Sequence, residues 1–331
     1  MTAVSRRAHA KINLLLSVGS ALPADHARAG YHPILSWMHA IDLHDDVRVE
    51  RLADGAAPQL DLAWAEDAPR TTPIDWKPDD DLAMKALRAL ERDAGRSLPA
   101  KITIRKHIPV GGGLGGGSGN AAAAILGLRE VFGLDVAGER LAAIGASIGS
   151  DVPFFLDTGH AVPAPAIISG LGEAVERTAR MHGGLVLVIP PYGCETRAVY
   201  AAFDRVREAE LREAETRRLV HTPEGQQRSA GPRENLVTGR AKKMQRLGRI
   251  EADQLVNELA RPAFEVEPRL GKLVTLLSNA TRTPAHVTGS GSCVFLVPRP
   301  GKEEWILERV RRAAEGLDEG ERPVAMLTEL V

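Results

Sequence analysis

The segment Pro109–Ala122 reads PVGGGLGGGSGNAA, and the seven positions from Gly111 to Gly117 hold six glycines with only Leu114 between them. Glycine suits places that need a positive φ or close backbone approach, so such a run is not a packing element. The alternating stretch 101–105 (KITIR) precedes it as a strand, and four consecutive alanines from Ala121 with spaced leucines follow as a helix. The first amides of that helix have no acceptor within it, and the positive end of its dipole points back at the loop. Strand, glycine loop and helix in this order make a phosphate-binding geometry. A P-loop would need Gly-Lys-Ser/Thr at the helix start, and Ser118-Gly119-Asn120 stands there instead. A dinucleotide fingerprint can be laid on Gly111, Gly113 and Gly116, but the tandem βαβ units around such a fingerprint are missing. A flexible turn before a helix is the simplest alternative.

Two further places carry chemistry. Lys11 and Asn13 are two apart in the strand-like AKINL, so one strand face presents an ammonium and an amide. Asp151 stands in IGSDVPFFL; taken alone, an aspartate there is read as a helix cap or loop acid. The cluster His39, Asp42, His44, Asp45 and Asp46 matches no standard ligand spacing and is read as solvated residues leading into a strand.

The elements that must position these groups follow from periodicity. Strands are expected over 8–18, 47–52, 101–105, 185–190 and 285–298, with a Gly-Ser cluster in the last, and at the end of the chain in PVAMLTEL. Helices are expected over 81–93, 121–131, 139–148 and 302–316. Residues 54–80 read as a variable loop region, and 204–234 as an exposed helix followed by a flexible loop. Strands and helices mix without strict alternation, which gives an α+β class. The length, 331 residues, suits two domains, divided at 1–165 and 166–331.

Composition narrows the function. The chain is 44% hydrophobic and 26% charged, with a formal net charge of −1, so no global basic field favours nucleic acid or an anionic membrane. Two distant cysteines, Cys194 and Cys293, argue against a disulfide framework and fit a reducing cytoplasm. No signal peptide and no membrane-spanning stretch is readable.

Pro-x-Gly-Gly-Gly-Leu-Gly-Gly-Gly-Ser followed by Asn-Ala-Ala resembles the second motif of the GHMP kinase superfamily, and in particular its diphosphocytidyl-methylerythritol kinase branch. AKINL resembles the first motif of that branch, GSDVPFF its aspartate segment, and VTGSGSCVF (287–295), with Gly289 and Gly291, its third motif. LVNELARP (255–262) is similar to the family's Asn-Asp-Leu…Pro segment. The stretches 54–80 and 204–234 have no clear counterpart. The family has Ser-Ser before Asn where this chain has Ser118-Gly119, and Asn-Leu where it has Asp81-Leu82.

The resemblance implies two domains, the first like ribosomal protein S5 domain 2 and the second ferredoxin-like. It implies Lys11 and Asp151 as catalytic residues, and ATP held by Lys106, Pro109, Val110, Gly111, Gly112, Gly113, Leu114, Gly115, Gly116, Gly117, Ser118 and Gly119. Lys106 and Asp81-Leu82 fall on adenine-side positions, and Ser118 is left to act without a second serine. Asn13, Tyr31, His32, Thr196 and Tyr200 fall on the substrate positions. Gly30-Tyr31-His32 matches the motif that holds cytosine, and Thr196 and Tyr200, four apart, share one helix face. Tyr31 and Tyr200 would then sandwich the base. The implied reaction is ATP-dependent phosphorylation of the 2-hydroxyl of 4-diphosphocytidyl-2-C-methyl-D-erythritol, with magnesium expected and no carboxylate pair standing out for it. The implied partner is that small molecule alone, with a monomer or homodimer in the cytoplasm. A GHMP kinase of another small alcohol and a non-catalytic nucleotide-binding relative are the alternatives.

Overall fold

The computed structural model of the chain describes residues 2–220 and 231–331. Two long strands form its spine. β1 (Ala3–Val18) and β2 (Ile34–Arg51) pair antiparallel from Ala3↔Glu50 to Val18↔Ile34, with register shifts after His9 and after Asn13. β2 runs straight through the cluster expected to be solvated. His39 and Asp45 are fully buried in it while Asp42 and Asp46 face solvent, because alternate residues of a strand point to opposite faces. Among the described residues no group of three or more His, Cys, Asp or Glu side chains is placed to hold a metal.

The stretch expected as a loop contains β3 (Gln59–Trp64), which pairs parallel with a later strand. α1 (Leu82–Ala94) starts on Asp81, whose side chain accepts from Ala83 N, and stops at Gly95 in the left-handed region. β4 (Ala100–Lys106) pairs with β2 and with β3. α2 (Gly116–Phe132) begins inside the glycine run, with Gly115 at φ 71 as its cap. α3 (Gly138–Ile148) and the short α4 (Val152–Phe155) follow. β5 (Ala166–Gly170) joins the edge of β2 that β4 leaves free, and β6 (Ala174–Arg177) pairs with β5. The first sheet therefore continues past the expected division at 165/166.

β7 (Gly184–Ile189) opens a second sheet. It leads into α5 (Thr196–Val220), and the loop expected after that helix lies largely outside the described residues. α6 (Arg240–Leu247), β8 (Val256–Asn257), α7 (Ala260–Val266) and α8 (Pro268–Thr281) come next, and β8 returns to pair parallel with β1. β9 (Ala285–Val287), β10 (Val294–Leu296), α9 (Glu303–Glu315) and β11 (Val324–Glu329) complete the chain. The second sheet has the order β11-β7-β10-β9, antiparallel throughout, which is the ferredoxin-like arrangement.

Two cores hold the layers. One packs α1 and α2 on the first sheet through Leu87, Leu90, Ala124, Ile125, Leu128, Ile102 and Ile104. The other joins Ile12, Leu14, Leu15, Trp37 and Ile41 of the first sheet to Leu185, Leu187, Ile189 and Phe295 of the second. β1 is covered on both faces from Ala8 onward, so any polar side chain on it must be paired internally. No helix among the described residues is long and apolar enough to cross a membrane.

Candidate active site

Lys11 is 3% exposed, and its ammonium has a partner in every direction its three donors can take. It donates to Asn13 Oδ1 at 2.7 Å and to the carbonyl of Gly113 at 2.9 Å, and Asp151 Oδ2 lies at 3.3 Å. Asn13 is itself held from both sides: its Nδ2 donates to Ser36 Oγ at 2.8 Å and its backbone N–H to Thr288 Oγ1 at 3.0 Å. Asp151 occupies the cap position of α4, yet its carboxylate makes no capping bond. It turns to Lys11 and stays partly open to solvent, with a side chain 28% exposed.

The glycine loop is stitched on two sides. Leu114 O accepts from Lys11 N at 2.9 Å, Gly111 O from Ser292 N at 3.2 Å, and Gly112 O from Cys293 N at 3.1 Å. Gly113 has φ +74, and a Cβ there would lie 2.2 Å from Thr288 O, so no other residue fits. A Cβ on Gly289 would meet Gly113 O at 3.2 Å and Lys11 Nζ at 3.3 Å, which places the 288–292 loop directly behind the ammonium. The amides at the start of α2 remain without intrahelical acceptors and face the cleft through Gly116, Gly117 and Ser118.

These groups line one cleft of about 1090 Å³. It also takes in Tyr31, His32, Thr196 and Tyr200 at one end, and Leu62, Trp76, Asp81, Leu82 and Lys106. Tyr31 is half exposed, with the guanidinium of Arg28 4.8 Å from its ring centre. The ring packed against Tyr200 is that of His32, at 5.0 Å between centroids. His32 Nδ1 donates to Gly19 O at 3.0 Å, and its Nε2 lies 3.5 Å from Asp204 Oδ2. Burial, with the nearby charge of Asp151, pushes the Tyr200 hydroxyl pKa up, so the phenol stays neutral. Thr196 Oγ1 is 3.0 Å from Ser290 Oγ and ties the start of α5 to the 288–292 loop.

Two expected nucleotide contacts sit differently. Gly119 does not line the cleft: α2 has already begun at Gly116, so residue 119 has rotated onto the buried face, where a Cβ would meet His9 O at 3.1 Å. Lys106 lines the cleft, but its ammonium donates to Asp45 Oδ2 at 2.6 Å. Asp45 is the residue that sequence reasoning missed, since a buried aspartate and a solvated one look alike in a sequence. Its carboxylate also accepts from His107 N, Ile108 N and Asn120 Nδ2. Thr288, Ser290 and Asn120 were likewise overlooked as single residues, although each stands inside a recognised motif.

No cluster of carboxylates stands ready for a free cation among the described residues. A magnesium ion carried on nucleotide phosphates needs only one or two protein oxygens, and Ser118 and Asp151 offer a hydroxyl and a carboxylate on the cleft wall.

The comparisons with known proteins agree with this geometry. The GHMP kinases N terminal domain matches residues 81–159, and the GHMP kinases C terminal domain matches residues 233–316. A 4-diphosphocytidyl-2-C-methyl-D-erythritol kinase of Carboxydothermus hydrogenoformans is 33% identical over 292 residues, 87% of this chain and 86% of that protein. The kinase of the same name from a Polaromonas species is also 33% identical, over 87% of this chain and 81% of its own length. The crystal structure of a 4-(cytidine 5'-diphospho)-2C-methyl-D-erythritol kinase superposes with a TM-score of 0.65 at 27% identity, over 99% of this chain and 100% of that one. With the relatives matched along most of both lengths and the fold shared throughout, this chain belongs to the 4-diphosphocytidyl-2-C-methyl-D-erythritol kinase family of the GHMP kinases.

Proposed function

We propose that this chain transfers the γ-phosphoryl group of ATP to the 2-hydroxyl of 4-diphosphocytidyl-2-C-methyl-D-erythritol, a step of the methylerythritol phosphate route to isoprenoids. The observation that carries the reading is the Lys11–Asp151 contact of 3.3 Å, set in one cleft between the glycine loop and the Tyr31, His32 and Tyr200 rings.

The chemistry asks the protein mainly for position and charge. Phosphoryl transfer passes through a loose transition state, so alignment and electrostatic stabilisation supply most of the catalysis. Asp151 orients the acceptor hydroxyl and takes its proton. A carboxylate is a weak base for an alcohol, but the proton leaves late, when bonding to phosphorus is advanced. Lys11, 3.3 Å from Asp151, places a positive charge where negative charge develops during transfer. Asn13 and Gly113 O hold that ammonium in place, so it needs no reorganisation at the moment of reaction. The amides of the glycine loop and of the first turn of α2 hold the ATP phosphates, and magnesium, which Ser118 and Asp151 would help to hold, would supply further charge neutralisation. Tyr31 and Tyr200 hold the cytosine from the cleft walls, and His32 buttresses Tyr200.

The first sheet with its helices, up to β6, carries the phosphate loop and both catalytic residues; the remainder supplies Thr196, Tyr200 and the 288–292 loop. ATP turnover measured with the cytidine substrate, mevalonate and homoserine tests the reading. Turnover with the cytidine substrate alone supports it, and turnover only with another alcohol would sink it.

A further inference from the structure

The segment before α1 supplies one wall of the cleft. Trp76 and, from β3, Leu62 line it beside Leu82. The indole of Trp76 is already oriented. Its Nε1–H donates to Asp81 Oδ2 at 3.0 Å, while Oδ1 of the same carboxylate accepts from Ala83 N at 2.8 Å. One side chain thus caps α1 and fixes the ring. A ring ordered before the ligand arrives loses little freedom on binding.

The wall also stands in the right place. A Cβ on Gly117 would lie 3.4 Å from Leu82 Cδ1, so the first turn of α1 touches the first turn of α2. Phosphates gathered at the start of α2 therefore lead their nucleoside towards Leu82 and Trp76. The other aromatic group, Tyr31 with His32 and Tyr200, is taken by the second substrate in the reading above, on which this inference rests.

We propose that Trp76 is the stacking platform for the purine base of the phosphate donor, held in plane by Asp81. An indole face overlaps a two-ring base more fully than a one-ring base, so the same contact favours purine over pyrimidine triphosphates.

The test is calorimetric binding of ADP, CDP and tripolyphosphate, each with magnesium, to the full chain and to Trp76→Ala and Trp76→Phe. Trp76→Ala is expected to weaken ADP about tenfold or more and to leave tripolyphosphate and CDP unchanged. Trp76→Phe keeps most of the ADP affinity and loses the ADP-dependent change in tryptophan fluorescence. Unchanged ADP affinity in Trp76→Ala overturns the proposal, as does an equal loss for ADP and tripolyphosphate. A wild-type chain that binds ADP through Trp76 but phosphorylates none of the alcohols upholds the platform and overturns the kinase reading instead.

Discussion

The carboxylate of Asp45, with no solvent exposure, takes the ammonium of Lys106 at 2.6 Å. The same carboxylate accepts from the backbone of His107 and Ile108 at 2.7 and 2.8 Å and from Asn120 Nδ2 at 2.8 Å. The end of β4, the entry to the glycine loop and the second turn of α2 are thereby fastened to one point of β2.

Asp45→Asn should therefore be costly. It leaves Lys106 buried without its countercharge, and breaking one partner of a buried pair destabilises by about 3–5 kcal/mol. Denaturant unfolding measures this directly. The Michaelis constant for ATP should rise more than that for the cytidine substrate, since the loop entry shifts and Tyr200 does not. A change in stability below ~1 kcal/mol would show that the hub bears no weight.

Asp151→Asn keeps the shape of the side chain and removes its charge. Turnover should fall by roughly 10²–10⁴, the range for a positioned acid–base group, while ATP binding persists. Lys11→Met should lower turnover as well and also loosen Gly113, whose carbonyl loses its donor. Near-normal turnover in Asp151→Asn would remove the residue from the mechanism.

Tyr200→Ala should weaken the cytidine substrate about tenfold or more, as stacking on one aromatic is worth ~1–3 kcal/mol. ATP should be unaffected. Tyr200→Phe keeps the ring face and its packing on His32, and should be close to neutral. Equal losses for both ligands, read from steady-state kinetics, would point to damage to the fold.

Two glycines of the same motif should respond in opposite ways. At Gly113 a methyl group meets Thr288 O at 2.2 Å in a backbone with φ +74, so Gly113→Ala should abolish ATP binding or folding. At Gly119 the φ is ordinary for a helix, and the new group meets His9 O at 3.1 Å, away from the cleft. Gly119→Ser should change stability modestly and leave ATP affinity as it was. Tighter ATP binding in that variant would mean that the side chain reaches the phosphates after all.

Stability should decline in acid through His39. Its Nδ1–H donates to Ala40 O at 2.9 Å and its Nε2 accepts from Met181 N at 3.1 Å, so only the neutral ring fits. Burial lowers its pKa from 6.5 to about 4. Between these values the unfolded chain holds the proton and the folded chain does not. Stability is thus complete above pH ~6.5 and is lost as pH falls towards ~4, at up to ~1.4 kcal/mol per pH unit. His39→Gln should flatten that part of the curve in urea titrations at several pH values. An unchanged slope would assign the acid sensitivity to other groups.

Local motifs revealed the chemistry well, and the scaffold less so. The glycine run, Lys11 and Asp151 are legible because phosphate binding imposes residue types at adjacent positions. The stretch of β2 before residue 47 is hidden by its polar letters: His39 and Asp45 are buried through partners at residues 181, 106 and 120, which no local window contains. β3 escapes for a related reason. It lies at the sheet edge in a segment rich in proline and aspartate, and its pairing with β4 crosses the whole of α1. The first turn of α2, from Gly116, escapes the sequence pattern because glycine hides helix character where phosphate binding selects it.

The backbone of Asn13 is bonded to Thr288, 275 residues away, and the carbonyl of Gly113 touches the same loop. Such distant closures slow folding, because chain entropy is lost before the contact repays it. They also set an order of events during synthesis. The glycine loop leaves the ribosome early, but its backing wall emerges only with the 288–292 segment. Nucleotide cannot steady the nascent chain until almost all of it has been made, and a truncated product should be recognised by the cell as an unfinished surface and not as a weak enzyme.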